Sequence, residues 1–392
     1  MSSFISGSDS TWSWPALSPR RFLCLSGVSF AVTFGLVWLW VAAMPLAFLD
    51  PEYPFWRARQ MLLESCDLGD ILILGDSRAA SGMMPALWPV RATNLAVGGG
   101  QPIEALAALT RATRCPVRPR QVILSLDAGH FTRPDLFWER TARFGFVDGA
   151  EIATLRAISH ALGDVSVYEL RHTDGLPSRV RDLMYQTRFP APWFSSLVKG
   201  GVFLRWSRNR AALDAGIASR GQYFFGTASG SGIVAAEGHM RAFQPLPVLE
   251  WYFNQLLAHL ESHGIPALFV AMPMNEATAQ AVDPGVRAAF RAWLASHEAR
   301  YPGFRVAGEV MPHWPDSFFG DGFSHLNPEG AARFNARFSR CLKEAGFDHR
   351  GMDQANAARS GGDQRAMGQP PLSAACVQRL QEAPPSTQND AQ

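Results

Sequence analysis

Ser77 lies in a segment whose residue types suit nucleophilic catalysis. Residues 71–80 read Ile-Leu-Ile-Leu-Gly-Asp-Ser-Arg-Ala-Ala, and the four branched apolar residues predict a strand buried on both faces. Gly75 and Asp76 end that strand, and helix formers follow Ser77. Such a strand-to-helix turn places a hydroxyl beside free helix N–H groups, where an α/β protein can hold a nucleophile and half of an oxyanion hole. The alternative is that Ser77 only caps the helix.

Two later segments contain the other groups that a serine nucleophile requires. The segment 94–100, Asn-Leu-Ala-Val-Gly-Gly-Gly, precedes an apolar helix pattern and could present N–H groups to an oxyanion. Asp321 and His325 lie on a loop before a helix predicted over 328–344. A serine needs a base to take its proton, and the base needs an acceptor that fixes its tautomer. We therefore predict Ser77 as nucleophile, His325 as base and Asp321 as orienting acid.

This ordered set of segments resembles the SGNH (GDSL-type) esterase and acyltransferase superfamily. The family's first, second and last blocks match, in order, Gly75-Asp76-Ser77, Asn94 with Gly99, and Asp321 with His325. The resemblance covers roughly residues 70–130 and 265–345. It implies an oxyanion hole from the backbone of Ser77 and Gly99. Supporting roles fall to Asp76, Asn94 and Asp127.

Two departures from the family pattern affect the expected site. The third block usually supplies an Asn after a buried strand, whereas here residues 122–126 lead into Asp127-Ala128-Gly129-His130. His130 either replaces that oxyanion donor or pairs with Asp127 as a structural histidine. The family usually places its Asp three residues before the His, whereas Asp321 precedes His325 by four. The cation Arg78, unusual at a helix start, is expected to pair with Asp76, and the alternative is that it binds an anionic group.

A long apolar run near the N-terminus predicts a membrane anchor. Residues 22–49 contain no charged residue, and about 20 helical residues suffice to cross a hydrocarbon core. Arg20 and Arg21 precede the run, and acidic residues follow it. The positive-inside rule then predicts that residues 1–21 are cytoplasmic, that 22–49 form a single-pass anchor in the inner membrane, and that the rest is periplasmic. A cleavable signal peptide is the alternative.

Strand and helix signals alternate over residues 50–348. Strands are predicted near 71–74, 92–97, 121–126, 267–272 and 304–310. This alternation indicates an α/β fold, which we expect to be a flavodoxin-like three-layer sandwich with a parallel sheet of about five strands. An insertion at about 131–245 is too long for an ordinary crossover and rich in aromatic residues. We expect it to be helical, with a small core of its own, and to shape the substrate groove.

Two further expectations concern the cysteines and the C-terminus. In a flavodoxin-like strand order the first and third strands are neighbours, so Cys66 and Cys115, which precede them, could form a disulfide in an oxidising compartment. Two unrelated buried thiols are the alternative. Residues 349–392 are rich in Gln, Ala, Pro and Ser and are predicted to be disordered.

Composition excludes some function classes, and the resemblance implies one. The net charge is +2, and no basic segment interleaved with aromatics indicates nucleic-acid binding. No Cys/His spacing indicates zinc, and no cofactor or metal is expected. The resemblance implies a membrane-anchored, exported serine esterase or O-acyltransferase. It is similar to proteins that O-acetylate or deacetylate exopolysaccharides such as alginate or cellulose, or that transfer D-alanine to cell-wall polymers.

The implied partners follow from that class. They are a polysaccharide or acylated envelope substrate, the inner membrane, and other polysaccharide-synthesis proteins. The alternative is a catalytically weakened SGNH-fold scaffold in an exopolysaccharide synthesis or export complex. The altered third block and the Asp321–His325 spacing favour this alternative.

Overall fold

The computed structural model of the chain describes residues 18–49, 51–133, 136–167, 178–188 and 202–345, together with 376, 381 and 382. The central sheet has five strands in the order β2-β1-β3-β4-β6, and each neighbouring pair is parallel. The strands are β1 (Ile71–Gly75), β2 (Ala92–Asn94), β3 (Gln121–Ser125), β4 (Ala267–Val270) and β6 (Phe304–Ala307), while β5 (Met274–Asn275) and β7 (His313–Trp314) form a separate pair. The prediction of an α/β fold with a five-stranded parallel sheet is confirmed.

Thirteen α-helices lie in the described ranges. They are α1 (Pro19–Ala43), α2 (Pro45–Phe48), α3 (Tyr53–Ser65), α4 (Ser77–Gly82), α5 (Pro102–Ala112), α6 (Gly129–Thr132), α7 (Gly149–Leu162), α8 (Ser178–Gln186), α9 (Val202–Ala218), α10 (Pro247–Ser262), α11 (Glu276–Ala281), α12 (Pro284–Arg300) and α13 (Pro328–Glu344). Short helical turns occur at Pro85–Leu87, Phe137–Ala142, Ala236–His239 and Asp316–Phe318.

Helices cover both faces of the sheet. Leu72 and Leu74 of β1 pack in one hydrophobic cluster with α3, α5, α10 and α12. Ile71 and Ile73 pack in a second cluster with α4 and α13. Because alternate side chains of a strand point to opposite faces, both faces are apolar. This explains why β1 has no polar alternation in its sequence.

Helix α1 is long and apolar enough to cross a membrane, and none of its apolar window is buried. This helix stops at Ala43, whereas the predicted anchor extends over residues 22–49. Pro45 has no N–H and disfavours a helical conformation at Met44, which lies outside the α region. Helix α2 then follows, and its residues Ala47 and Phe48 are buried. Residues 45–49 therefore belong to the folded domain.

The described parts of the insertion contain the helices α7, α8 and α9 and also a non-helical stretch over 219–235. Within these described parts, the aromatic residues before α7 do not form the separate core that the sequence predicts. Trp138, Phe144 and Phe146 belong to the same cluster as the sheet residues. The ring of Trp56 on α3 lies 5.7 Å from that of Phe144 and 5.2 Å from that of Phe146. These aromatic residues therefore pack with α3 in the cluster on one side of the sheet. The stretches 134–135, 168–177 and 189–201 of the insertion lie outside the described residues.

The cysteines form two disulfides. Cys66 pairs with Cys115, which is the first of the two alternatives given above. The neighbouring positions of β1 and β3 bring the two cysteines together. Cys341 on α13 pairs with Cys376. Gln381 is also buried, and its Nε2 donates to Glu309 O at 2.8 Å. Cys376 and Gln381 thus have bonded, buried positions within the segment predicted to be disordered, and composition does not reveal such single anchoring residues. Most of 349–392 lies outside the described residues.

Candidate active site

Ser77 lies at the predicted strand-to-helix turn, directly after β1 and at the first residue of α4. The helix cap is Asp76, whose Oδ1 accepts the N–H groups of Arg78 (2.9 Å) and Ala79 (3.3 Å). Its Oδ2 accepts the N–H of Asp127, beyond the end of β3, at 2.8 Å. Asp76 therefore ties the turn to the neighbouring strand. Within the described residues, neither the N–H nor the hydroxyl of Ser77 makes a hydrogen bond.

Asp321 orients His325 despite the extra residue between them. Asp321 Oδ2 lies 2.6 Å from His325 Nδ1. The other oxygen, Oδ1, accepts the N–H groups of Phe323 (2.9 Å) and His325 (3.3 Å). Ser324 adopts a left-handed conformation, with φ +60°, and its hydroxyl donates to Asn275 Oδ1 at 2.8 Å. The left-handed residue folds the longer loop back on itself, so the contact predicted for Asp321 is formed.

The pKa of Asp321 reflects this contact. Burial alone would raise it, but the hydrogen bond and the charge of His325 hold the pKa below its ordinary value. The N–H groups of Phe323 and His325 lower it further. The carboxylate is therefore ionised at neutral pH and can stabilise an imidazolium.

The other ring nitrogen of His325 is available for proton transfer. His325 is buried, and its Nε2 has no hydrogen-bond partner among the described residues. Phe225 from the insertion stacks on the imidazole, with ring centroids 4.7 Å apart. The expected hydrogen bond between Ser77 and His325 is not formed in this structure. Catalytic hydrogen bonds are often loose without substrate and tighten in the Michaelis complex.

Helix α4 and the histidine loop are nevertheless joined on both sides of His325. Arg78 Nε donates to Phe323 O at 3.2 Å. Ser81 Oγ donates to Leu326 O at 3.0 Å. The residues one and four positions after Ser77 thus bind the residues on either side of Ser324-His325.

The glycine segment 94–100 lies against the same region. Gly99 has φ +70° and is half-buried, and its N–H makes no hydrogen bond within the described part of the chain. A side chain at Gly98 would meet the Phe225 ring at 3.2 Å, so this ring contacts both the glycine segment and His325. Asn94 does not face a substrate: its Nδ2 donates to Ala79 O and Met83 O, both at 2.9 Å. Asn94 thus holds α4 in place.

An ionic cluster, buried except at the half-buried Asp127, lies around the Ser77 turn and is formed by Asp76, Arg78, Asp127, His130 and Glu237. Arg78 Nη2 lies 2.6 Å from Glu237 Oε2, and Arg78 Nε lies 4.0 Å from Asp127 Oδ2. The expected pairing of Arg78 with Asp76 is therefore wrong, because backbone N–H groups already bind both Asp76 oxygens. His130 Nε2 lies 3.3 Å from Asp127 Oδ2, which is the structural alternative for that histidine.

Burial and charge repulsion within the cluster favour the protonated forms of Asp76 and Glu237. Burial, together with repulsion from Asp127, raises the pKa of Asp76. Burial also raises the pKa of Glu237 to about 7, against the opposing charge of Arg78. For Asp127 the effect of burial is outweighed by His130 and Arg78, which lower its pKa. Near neutral pH, Glu237 is thus partly protonated.

The cluster is a poor metal site, although its geometry first suggests one. One ligand atom from each of Asp76, Asp127 and His130 lies within 4.8 Å of the others. The Asp76 oxygens, however, accept backbone N–H groups, and the Arg78 guanidinium faces Asp127. A divalent cation there would be repelled by Arg78. We assign no metal to these residues.

As the pH rises from about 5 to 7, the free energy of unfolding of the native protein should fall. Replacing Glu237 with glutamine should abolish this fall. The folded pKa of Glu237, about 7, lies above the ordinary glutamate pKa of 4.5. In that interval the folded carboxyl keeps a proton that the unfolded chain releases, so a rise in pH favours unfolding. We expect an effect on the order of 1–3 kcal/mol, read from the thermal unfolding midpoint of the full chain.

The control for this experiment is Glu64→Gln. Glu64 is exposed and pairs with Arg57 at the surface, so its removal should leave the pH dependence unchanged. A native protein whose stability rises over this interval, or a Glu237→Gln variant with the native slope, would contradict the assignment.

Compared with known proteins, the chain matches no family model, no curated protein and no solved structure. Sequence reasoning also missed three residues of the site. Glu237 and Asn275 carry no local motif, since their partners Arg78 and Ser324 are far away in sequence. Phe225 belongs to the aromatic residues of the insertion, but nothing in the sequence distinguishes it from a core residue.

Proposed function

We propose that this protein is a serine esterase or O-acyltransferase of the SGNH type. Its substrate would be an acyl group, acetyl above all, on a cell-surface polysaccharide. The observation that carries the proposal is the arrangement around His325. Asp321 Oδ2 lies 2.6 Å from its Nδ1, and its buried Nε2 has no hydrogen-bond partner among the described residues. The loop that carries His325 is bound to the Ser77 helix by Arg78 and Ser81.

The proposed reaction has two acyl-transfer steps. His325 Nε2 takes the proton of the Ser77 hydroxyl while Oγ attacks the acyl carbonyl carbon. The ester C–O bond breaks, the leaving oxygen takes the proton from His325, and the acyl group stays on Ser77. Water or a sugar hydroxyl then gives its proton to His325 and attacks the carbonyl carbon of this acyl-enzyme. The bond from that carbon to Ser77 Oγ breaks, Oγ takes the proton back from His325, and the free acid or the acylated sugar leaves.

The proposed oxyanion hole uses backbone donors. The N–H groups of Ser77 and Gly99 are both without a hydrogen bond among the described residues, which supports this role. The side-chain donor of the family's third block has no equivalent here. Asp127 stands in its place, and its charge is balanced by Arg78 and His130.

The finer features of architecture and location are also proposals. The strand order β2-β1-β3-β4-β6 and the helices on both faces support a flavodoxin-like sandwich. Arg20 and Arg21, before the apolar stretch of α1, support an N-terminus in the cytoplasm and a catalytic domain outside the inner membrane.

A fluorophosphonate probe tests the proposed nucleophile. Such a probe phosphonylates an activated serine, so the purified full chain should gain one adduct, located on Ser77 by peptide mass spectrometry. Ser77→Ala should not be labelled. Ser81→Ala, with a hydroxyl removed one turn along the same helix, should still react.

Each outcome of this labelling has a clear meaning. An adduct on another serine, or equal labelling of Ser77→Ala, would exclude Ser77 as the nucleophile. No adduct on a folded protein would favour the non-catalytic scaffold in an exopolysaccharide complex. The missing Ser77–His325 hydrogen bond is the observation that favours this second candidate.

A further inference from the structure

Two helices of the insertion are tied to the chain at the end of the membrane helix. Just after α8, Thr187 O accepts the indole N–H of Trp38 at 2.9 Å, and Arg188 Nη1 donates to Ala42 O at 2.8 Å. Trp38 is five residues from the end of α1 at Ala43, about 7 Å along the helix. Thr187 is therefore level with the last turns of α1 and not beyond them.

Helix α9 is held to the segment that follows α1. Asn209 Nδ2 donates to Leu46 O at 2.9 Å, and Arg205 Nη1 donates to Phe48 O at 3.3 Å. Arg205 and Asn209 are buried one turn apart, so they form the inner stripe of α9. Only Met44 separates α1 from α2. The domain is therefore attached to α1 without a flexible linker.

The outer faces of both helices expose large apolar side chains. On the inner side of α8, Asp182 forms an ion pair with Arg156, and the ring of Tyr185 lies 5.6 Å from that of Trp138. On the outer side, the exposed fraction is 43% for Val180 and 54% for Leu183. On α9 the exposed fraction is 78% for Leu204 and 44% for Trp206, and these two residues flank the inner stripe on opposite sides.

We propose that the outer faces of α8 and α9 lie in the interfacial layer of the membrane that α1 crosses. The inference depends on α1 being a membrane span. A segment bound five residues inside the end of that span is at the depth of the headgroups and the upper acyl chains. Exposed Leu, Val and Trp side chains suit this layer. The exposed Arg208 on α9 suits anionic headgroups, whereas Arg210 already pairs with Asp214 at 3.2 Å.

Lipid explains these faces better than a second protein does. A protein partner would have to bind beside the last turns of α1. The apolar stretch of α1 is itself not buried by any described part of the domain. A bilayer covers the same surface as soon as α1 is inserted. The same lipid layer then fixes the height and tilt of the domain above the membrane.

The catalytic edge of the sheet is then turned toward the membrane. Glu52, three residues after Leu49, places its Oε2 2.8 Å from the position of a Cβ on Gly98. The opposite edge lies at the far end of α3, where Cys66 joins Cys115. Helix α3 has 13 residues, so the two ends are about 20 Å apart.

Depth-dependent quenching of a fluorophore tests this arrangement in the full chain. Cys24 is the free cysteine among the described residues, so Cys24→Ser leaves only disulfide-bonded thiols there. Single cysteines are then introduced as Leu183→Cys and Leu204→Cys and labelled with an environment-sensitive dye. The protein is reconstituted in nanodiscs with and without doxyl-labelled phospholipid.

Two matched positions serve as references. Val28→Cys lies in α1, where the exposed fraction of Val28 is 61%, and it reports membrane insertion itself. Val117→Cys lies next to the Cys66–Cys115 disulfide, at the edge away from the anchor, with an exposed fraction of 65% for Val117. Because all four positions are exposed, thermal unfolding midpoints should match that of the Cys24→Ser parent.

We expect doxyl lipid to quench the labels at 183 and 204 at least twofold more than the label at 117. Quenching at 28 alone, with 183 and 204 equal to 117, would overturn the docking of α8 and α9 and leave the anchor intact. Absence of quenching at all four positions would overturn both. None of these outcomes bears on the esterase proposal, because fluorophosphonate labelling of Ser77 tests that proposal separately.

Discussion

Replacing Ser77 with alanine should lower kcat for hydrolysis of p-nitrophenyl acetate by about a thousandfold or more. Removal of the nucleophile leaves only the stabilisation given by the oxyanion donors and by binding. The proposed donors are backbone N–H groups, so the substitution does not remove them. The full chain in detergent is assayed with and without a polysaccharide acceptor, which distinguishes hydrolysis from transfer.

Ser81→Ala is the matched control for this experiment. Its hydroxyl donates to Leu326 O at 3.0 Å, so its loss costs about one hydrogen bond of stability. We expect less than a tenfold change in rate. If Ser77→Ala and Ser81→Ala lose activity equally, the effect comes from disruption of α4 and not from loss of a nucleophile.

The elements that position the site could be predicted because their signals are local. Helix α13 begins and ends at the predicted residues, Pro328 and Glu344, since Asn327 caps it and Pro328 starts it. The strands β1 and β3 were found from continuous apolar runs, which buried parallel strands require. The sequence predicts the Cys66–Cys115 disulfide only as one of two alternatives, because the disulfide depends on the pairing of β1 with β3.

The partners of charged residues could not be predicted in the same way. Arg78 was assigned to its sequence neighbour Asp76, but it pairs with Glu237, which is 159 residues away. The error has a physical cause: the free N–H groups at the start of α4 bind Asp76 more directly than a side chain does. The end of α1 was missed for another reason, since hydropathy continues to Leu49 while Pro45 already breaks the helix.

The contact between Asp321 and His325 shows how a departure from a family spacing can be accommodated. Asp321 precedes His325 by four positions instead of three, and Ser324 accommodates the extra residue at φ +60°. Its hydroxyl is fixed by Asn275, which also donates to Ser231 O and Ile233 O at the end of the insertion. The insertion therefore helps to hold the loop that carries His325, a role that no sequence motif indicates.

Asp321→Asn should lower kcat by a factor on the order of 10³ to 10⁴, and His325→Ala by at least as much. An amide cannot keep His325 in the tautomer whose Nε2 accepts the serine proton, nor can it stabilise the imidazolium. The combined variant should be little worse than His325→Ala, because the two residues act as a unit. The rates are measured with p-nitrophenyl acetate at pH 8.

The control is Asp316→Asn, on the same stretch of chain. Asp316 Oδ1 accepts the N–H of Ala277 at 3.2 Å, a structural role, so its loss should affect stability and leave kcat within tenfold. Asp321→Asn should also remove a stabilising contribution, because its pKa is lowered in the folded state. That contribution is present above the ordinary carboxyl pKa and is lost as the pH falls through the lower folded value. An Asp321→Asn variant that keeps more than a tenth of native activity would show that another group holds the imidazole.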